Sequence, residues 1–369
     1  MKQHPIYNKE RNEKADLLRV IAMLFVVVGH CLMYGVPNTS THGVFQTDSA
    51  TDMLFFLLLQ GTYVLTSTGV NCFVLLSGYF LIQRTDFRSS LLKIWIQTIF
   101  YSILLSGIAC IAGKQTYAVH IWMGYLSPFP TEEYWFMAPY MALSVAAPFL
   151  ARFGNSLNQR QYIGFLSVIF LLFFRYPFGN AFTTGMDFGW FVVLFFTGGY
   201  IRRFNVPRWI VKYRSYSLAA VSGCSFLFLV IKGLLPICIH GQNTVQIQLM
   251  SNNSFTFLTS VCMFLCFIHK EKSLGLSSKI SQLAPFTLGV YLIHEHSFIR
   301  HLLWDKWFAS LDGIPVLLSV FLFSMIVFIG CTAIEYGREK IFSRFGISSL
   351  IHSLGNYIAR KANRWMRQS

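Results

Sequence analysis

Charge is scarce in this sequence, and acid is scarcest. Only 12% of its 369 residues are charged, with 15 Asp and Glu against 30 Lys and Arg. With 54% hydrophobic residues and a mean hydropathy of +0.51, the chain does not have the composition of a water-soluble globule. Metal-type cysteine spacing is also missing. The 8 cysteines form no CxxC and no zinc pattern, and Cys262 and Cys266 read as packing residues on one helix face. No metal is therefore expected. No internal repeat stands out, which counts mildly against a transporter built from inverted repeats. The first apolar run is too long for a signal-peptide core, and no small-residue cleavage site follows it, so its retention is expected. Between the apolar runs nothing suits a soluble domain, and no appended catalytic domain is expected after the last.

What is abundant is apolar sequence in helix-length pieces. Ten spans are expected, near 17–36, 58–82, 92–112, 134–151, 161–178, 186–203, 215–236, 254–269, 284–304 and 314–337. The fold class is all-α, a polytopic integral membrane protein. Residues 1–16 form an N-terminal segment, 17–337 the transmembrane domain and 338–369 a basic tail. Lys and Arg fall on one side of these spans, except Lys114, Arg175, Lys232, Arg300 and Lys306. By the positive-inside rule both termini are expected in the cytoplasm. Topology thus accounts for the net charge of +15, and nucleic acid is not expected as a partner. The tail, with Trp365, reads as an anchor at anionic lipid.

The polar exceptions inside the spans are the informative residues. Arg19 and His30 frame one uninterrupted apolar run. Eleven helical steps return both side chains to one face, roughly 16 Å apart along the axis. Arg19 then sits at the membrane surface and His30 near its middle, where an ionisable group is costly and reads as functional. The plainer alternative is a histidine bonded to a neighbouring helix and a snorkelling arginine. His294 falls at a similar depth in the ninth span and reads equally well as a catalytic residue or as one bonded to a nearby carbonyl. Glu335 lies near the cytoplasmic mouth beside Arg338, and a simple ion pair is as good a reading as a catalytic role.

Four stretches carry a resemblance. They are D-x-L-R-x-x-A-x-x-x-V-V-x-x-H (Asp16 to His30), GVNCFVLLSGYFL (Gly69 to Leu81), EYWFMAPYMALSVAAPFL (Glu133 to Leu150) and FTLGVYLIHEHSFIR (Phe286 to Arg300). In this order they resemble the membrane-bound acyltransferase-3 family. Two departures stand out. The basic residues after Ser-Gly-Tyr are spread over Arg84, Arg88 and Lys93, where the family often has a tight cluster. Glu335 is followed by Tyr336 and Gly337, where it usually has a basic residue and a proline.

The resemblance implies transfer of an acyl group, by default acetyl, from cytoplasmic acyl-CoA to a hydroxyl of a surface or secreted polysaccharide or its lipid-linked precursor. It implies an enzyme of exopolysaccharide biosynthesis in a plasma or bacterial inner membrane. The partners are then the bilayer, acyl-CoA as co-substrate and a glycan, with no permanently bound cofactor. His30 would act as catalytic base, with His294 and Glu335 as further catalytic candidates. Arg19, Arg84, Arg88 and Lys93 would bind donor phosphates. Ser77 or Tyr79 could meet the oxyanion. Trp135, Glu133 and Asp187 are the candidates for acceptor binding. The competing expectation is a transporter or flippase for a glycolipid or small solute, with the same buried His and Arg as a relay.

Overall fold

A computed structural model describes residues 12–36, 44–46, 50–113, 132–174, 188–204, 206–240, 244–246, 253–269, 279–310 and 316–368. The Asn12 side chain starts the first helix by accepting from the Ala15 N–H at 3.1 Å, one of the donors a helix end leaves unpaired. Helix α1 spans Glu13–His30 and runs on through a π-helical turn at Cys31–Gly35. Acidic Glu13 and Asp16 in its first turn suit the positive end of the helix dipole.

Helices α2 (Ala50–Thr66) and α3 (Gly69–Leu81) follow, parted at Ser67 and Thr68. These hydroxyls bond back to the carbonyls of Val64 and Leu65, at 3.0 and 2.6 Å, and compete with the helix ladder there. Next come α4 (Ser90–Ile111), α5 (Met137–Ser156), α6 (Gln159–Phe173), α7 (Phe188–Arg203), the short α8 (Arg208–Lys212), α9 (Arg214–His240) and α10 (Ser254–Ile268). Helix α11 (Thr287–His294) stops abruptly, and α12 (Ser297–Arg300) restarts the chain into a π-helical stretch, His301–Phe308. Helices α13 (Val316–Arg344) and α14 (Ile347–Gln368) complete the order. Two three-residue strands, β1 (Val44–Gln46) and β2 (Thr244–Gln246), pair antiparallel with Phe45 opposite Val245.

Helix α1 is the partition of the bundle. It packs on α2, α3, α10, α11 and α13. One buried apolar cluster joins Met23, Val27 and Cys31 to Tyr101, Tyr291, Trp304 and Phe328. A second joins Ala15, Leu18 and Ala22 to Leu75, Trp190, Phe195 and Phe264. The tightest crossing is α3 on α7, where a Cβ at Gly78 would lie 2.1 Å from the Phe195 carbonyl oxygen. Gly78 of the Ser-Gly-Tyr stretch is thus required by packing.

Among the described residues, five helical stretches are long and apolar enough to cross a membrane: Glu13–Gly35, Met53–Leu81, Ser90–Ile111, Arg214–Leu235 and Val316–Arg344. The protein is a helical membrane protein. The other five expected spans differ from that form. Gln159–Phe173 and Ser254–Ile268 have 15 residues each, short of the ~20 needed for a crossing. Helix α5 continues through Pro148 to Ser156, and α7 is buried along Gly189–Ile201 as an inner helix. The expected continuous span at 284–304 is broken after His294. Nor does the last span end at 337. Helix α13 continues to Arg344, Gly346 turns the chain at φ 72°, and the tail forms the amphipathic α14.

Candidate active site

The break after α11 is where polar chemistry collects. His294 ends the helix and Glu295 follows it, both fully buried. His296 has extended backbone and caps α12, its Nδ1 accepting from the Phe298 N–H at 3.3 Å. Its Nε2 lies 3.1 Å from Ser106 Oγ on α4. Glu133 takes the Ser297 N–H at 2.6 Å, placing a carboxylate where the restarted helix offers unpaired donors. A continuous helix would have carried His296 without these partners. The break gives His296 and the Ser297 N–H their partners.

His30 of α1 meets this break. Its Nδ1 lies 3.0 Å from His294 Nε2 and 3.0 Å from Glu295 Oε2. The tautomers follow from the partners. His294 Nδ1 faces the Val290 carbonyl at 2.6 Å, and a carbonyl only accepts, so Nδ1 carries the proton. His294 Nε2 is then an acceptor, and the His30 Nδ1–H donates to it. The remaining His30 nitrogen, Nε2, is then the one without a proton. Glu295 Oε2 is equally close but off the N–H axis, a buried carboxylate oxygen without a hydrogen-bond donor. Oε1 of the same carboxylate is 3.4 Å from Arg300, whose guanidinium lies over the Tyr34 ring at 5.1 Å. Tyr34 in turn flanks His30, with ring centroids 5.5 Å apart.

The same trio is the arrangement among the described residues that could hold a metal ion. His30, His294 and Glu295 each offer one ligand atom, all within 4.8 Å of one another. The Val290 carbonyl orients His294 as a second partner commonly orients a metal-ligating histidine. The hydrogen-bonded tautomers above account for His30 Nδ1 and both nitrogens of His294 without one.

A cavity of about 480 Å³ leads toward this trio. At one end its lining includes Asp16, Arg19, Arg88 and Lys93. Further in it is apolar and aromatic, with Met23, Val26, Phe136, Tyr140 and Tyr291. Tyr291 is three residues before His294 and Val26 four before His30, so the lining stops about one helical turn, roughly 5 Å, short of the histidines. Tyr291 is fixed there by the Phe136 N–H, which donates to its hydroxyl at 3.3 Å. Cations crowd the other end. Arg88 is open to water as a residue, yet its pKa is lowered, first by partial withdrawal from solvent and then by Arg84 and Arg19, with Tyr140 acting in the opposite direction.

The residues singled out from sequence therefore separate. Arg19, Arg88 and Lys93 share the cavity, with Arg19 paired to Asp16 at 2.5 Å and Lys93 to Glu339 at 3.4 Å. Arg84 lines a neighbouring cavity instead. Ser77 donates to the Phe73 carbonyl and lies 3.4 Å from Tyr140 Oη, one layer behind the wall. Tyr79 faces elsewhere, held by Arg202 at 3.2 Å and packed on Phe264. Glu133 and Trp135 lie at the entry to α5, Trp135 edge-on to Phe136. Asp187 lies outside the described residues.

Glu335 is not bonded to either histidine among the described residues. It accepts from Gln97 at 3.0 Å, Tyr101 at 2.7 Å and Arg338 at 2.9 and 2.6 Å. A Cβ at Gly289 would lie 2.5 Å from its carboxyl carbon. Glu335 thus clamps α4, α11 and α13 together beside the cavity, where Gln97 is a lining residue. Sequence reasoning did not place Glu295, Tyr291, Phe136 or Gln97 among the site residues. The first two had a legible signal, lying within a few residues of His294 on the same run.

A family model described as an acyltransferase domain matches residues 12–336. No curated protein and no solved structure matches the chain. The matched stretch takes in α1, the cavity and the His30–His294–Glu295 trio, and it ends before α14.

Proposed function

The chain belongs to the acyltransferase-3 family and is a membrane acyltransferase, and from that premise we propose that it moves an acyl group, most simply acetyl, from cytoplasmic acyl-CoA to a hydroxyl of a polysaccharide or lipid-linked precursor. The observation that carries this reading is the cavity with Arg19, Arg88 and Lys93 at one end and Tyr291 beside the histidine pair at the other. A polyanionic donor with a long, uncharged thioester arm has that same division. Its phosphates suit the guanidinium and ammonium groups, and its arm suits the apolar and aromatic lining.

His30 Nε2 takes the proton from the acceptor hydroxyl. The oxygen attacks the thioester carbonyl carbon, the C–S bond breaks as the ester forms, and the departing thiolate takes the proton back from His30. His294 fixes the imidazole orientation through the 3.0 Å contact to Nδ1. Glu295, at the same distance, stabilises the imidazolium that exists between the two proton transfers. No resident cofactor takes part; acetyl-CoA is a co-substrate. The cation-rich mouth faces the cytoplasm of a plasma or inner membrane. The acceptor approaches from the other side, past Trp135 and Glu133.

The test is release of coenzyme A from acetyl-CoA by the purified protein in lipid, with and without glycan extract, in the parent and in His30→Ala. The reading expects release in the parent and a loss of about 10²–10⁴-fold in the variant at unchanged donor binding. A folded parent that neither binds acetyl-CoA nor releases coenzyme A would overturn it and return the transporter reading.

A further inference from the structure

Helix α14 lies beyond the matched residues, and it builds something of its own. It docks under the 83–90 loop through small and polar groups. The Phe87 N–H donates to Asn363 Oδ1 at 2.7 Å, and Asn363 Nδ2 donates back to the Phe87 carbonyl at 3.2 Å. Gly355 and Ala359 are buried one turn apart, and a Cβ at Gly355 would lie 2.5 Å from the Ser89 carbonyl oxygen. Arg152 donates to the Met366 carbonyl at 3.4 Å. Leu350, Leu354, Ile358 and Trp365 remain exposed along a neighbouring face, as in a helix lying at a lipid surface.

Between this helix and the loop is a second cavity of about 1110 Å³. Arg84 and Arg88 line it from the loop, and His352, Asn356 and Arg360 from α14. Its acidic lining residue, Asp86, lies 3.7 Å from Arg367. Arg88 and Ser90 line both this cavity and the inner one, so the two share a wall. A volume of this order suits a nucleotide-sized ligand.

We propose that α14 completes an anion site in which Arg360, with Arg84 and Arg88, holds the phosphate-bearing nucleotide end of the acyl donor while its thioester arm enters the inner cavity. This rests on the donor reading above and adds to it a helix outside the family match. Arg360 reaches the ligand only while Gly355 keeps the helix against the loop, so a substitution at either position has the same effect on the nucleotide.

The experiment uses the full chain in lipid nanodiscs, with adenosine 3′,5′-bisphosphate as binding probe and two donors, acetyl-CoA and S-acetylpantetheine. Arg360→Ala is expected to bind the bisphosphate about tenfold more weakly, the loss of one charge-assisted contact. Arg360→Lys recovers part of this. Gly355→Leu reproduces the loss by displacing the helix. The defect appears with acetyl-CoA and not with S-acetylpantetheine, which carries no nucleotide. Parental affinity for the bisphosphate in both Arg360→Ala and Gly355→Leu, with affinity lost in Arg88→Ala, overturns the role of α14 and leaves the donor reading intact. A parent that binds no bisphosphate and releases no coenzyme A overturns both.

Discussion

His294 Nε2 accepts from His30 Nδ1 at 3.0 Å while its own Nδ1 donates to the Val290 carbonyl at 2.6 Å. A backbone carbonyl in α11 thereby dictates which nitrogen of a histidine on α1 carries the proton. His294→Phe keeps a ring in the space and removes the acceptor. It is expected to lower kcat by about 10–10³-fold, within the scale of general acid–base contributions, with KM for the donor changed less than about threefold. Steady-state kinetics in lipid separate the two. A KM effect with kcat intact would make His294 a packing residue.

Glu295 offers a sharper test because Gln preserves its shape. Its Oε2 is 3.0 Å from His30 Nδ1 without being aligned for a hydrogen bond, so its contribution is its charge. Glu295→Gln is expected to cost about 10²-fold in kcat, as removal of a preorganised electrostatic partner does. Donor binding, measured with a non-transferable thioether analogue, stays at the parental value. A Gln variant as fast as the parent would reduce Glu295 to a partner of Arg300.

The trio within 4.8 Å also predicts how the enzyme meets divalent metal. In the proposed reaction His30 Nδ1 carries a proton, and a bound Zn²⁺ would take that position. Chelator is expected to leave the rate unchanged, while added Zn²⁺ slows transfer and Glu295→Gln relieves the inhibition. Loss of activity on chelation, restored by metal, would instead show a resident ion.

The helical membrane character was legible because apolar runs dominate the composition, and Arg19 and His30 were legible because each interrupts or bounds such a run. The break after His294 was not. YLIHEHSFIR has no proline or glycine, and the helix ends there because Glu133 and Ser106, distant in sequence, satisfy the freed polar groups. Tyr79 reads from sequence as a neighbour of Ser77, yet two helical positions apart they point to Arg202 and to Tyr140. The tail reads as a basic lipid anchor. Its docking depends on Gly355 and Asn363, whose partners in the 83–90 loop no local pattern could reveal.

Glu335 illustrates the difference between a conspicuous residue and a reacting one, and stability measurements can decide its role. Its carboxylate is buried, and Gln97, Tyr101 and Arg338 supply all the contacts described above. Removing it strands the Arg338 guanidinium in the bundle, a loss of about 3–5 kcal/mol for a buried pair. Arg338 keeps Glu339 at 2.7 Å, so the lower end of that range is expected for Glu335→Ala, read as a fall in unfolding temperature in detergent. Arg338→Ala alone leaves the carboxylate with Gln97 and Tyr101 and costs less. The double variant should therefore be more stable than the sum of the two predicts, the mark of direct coupling. If the clamp is the whole of its role, residual activity per folded molecule in Glu335→Gln stays within about tenfold of the parent, well short of the loss from removing a general base. A larger kinetic loss at unchanged stability would put Glu335 in contact with the reacting atoms.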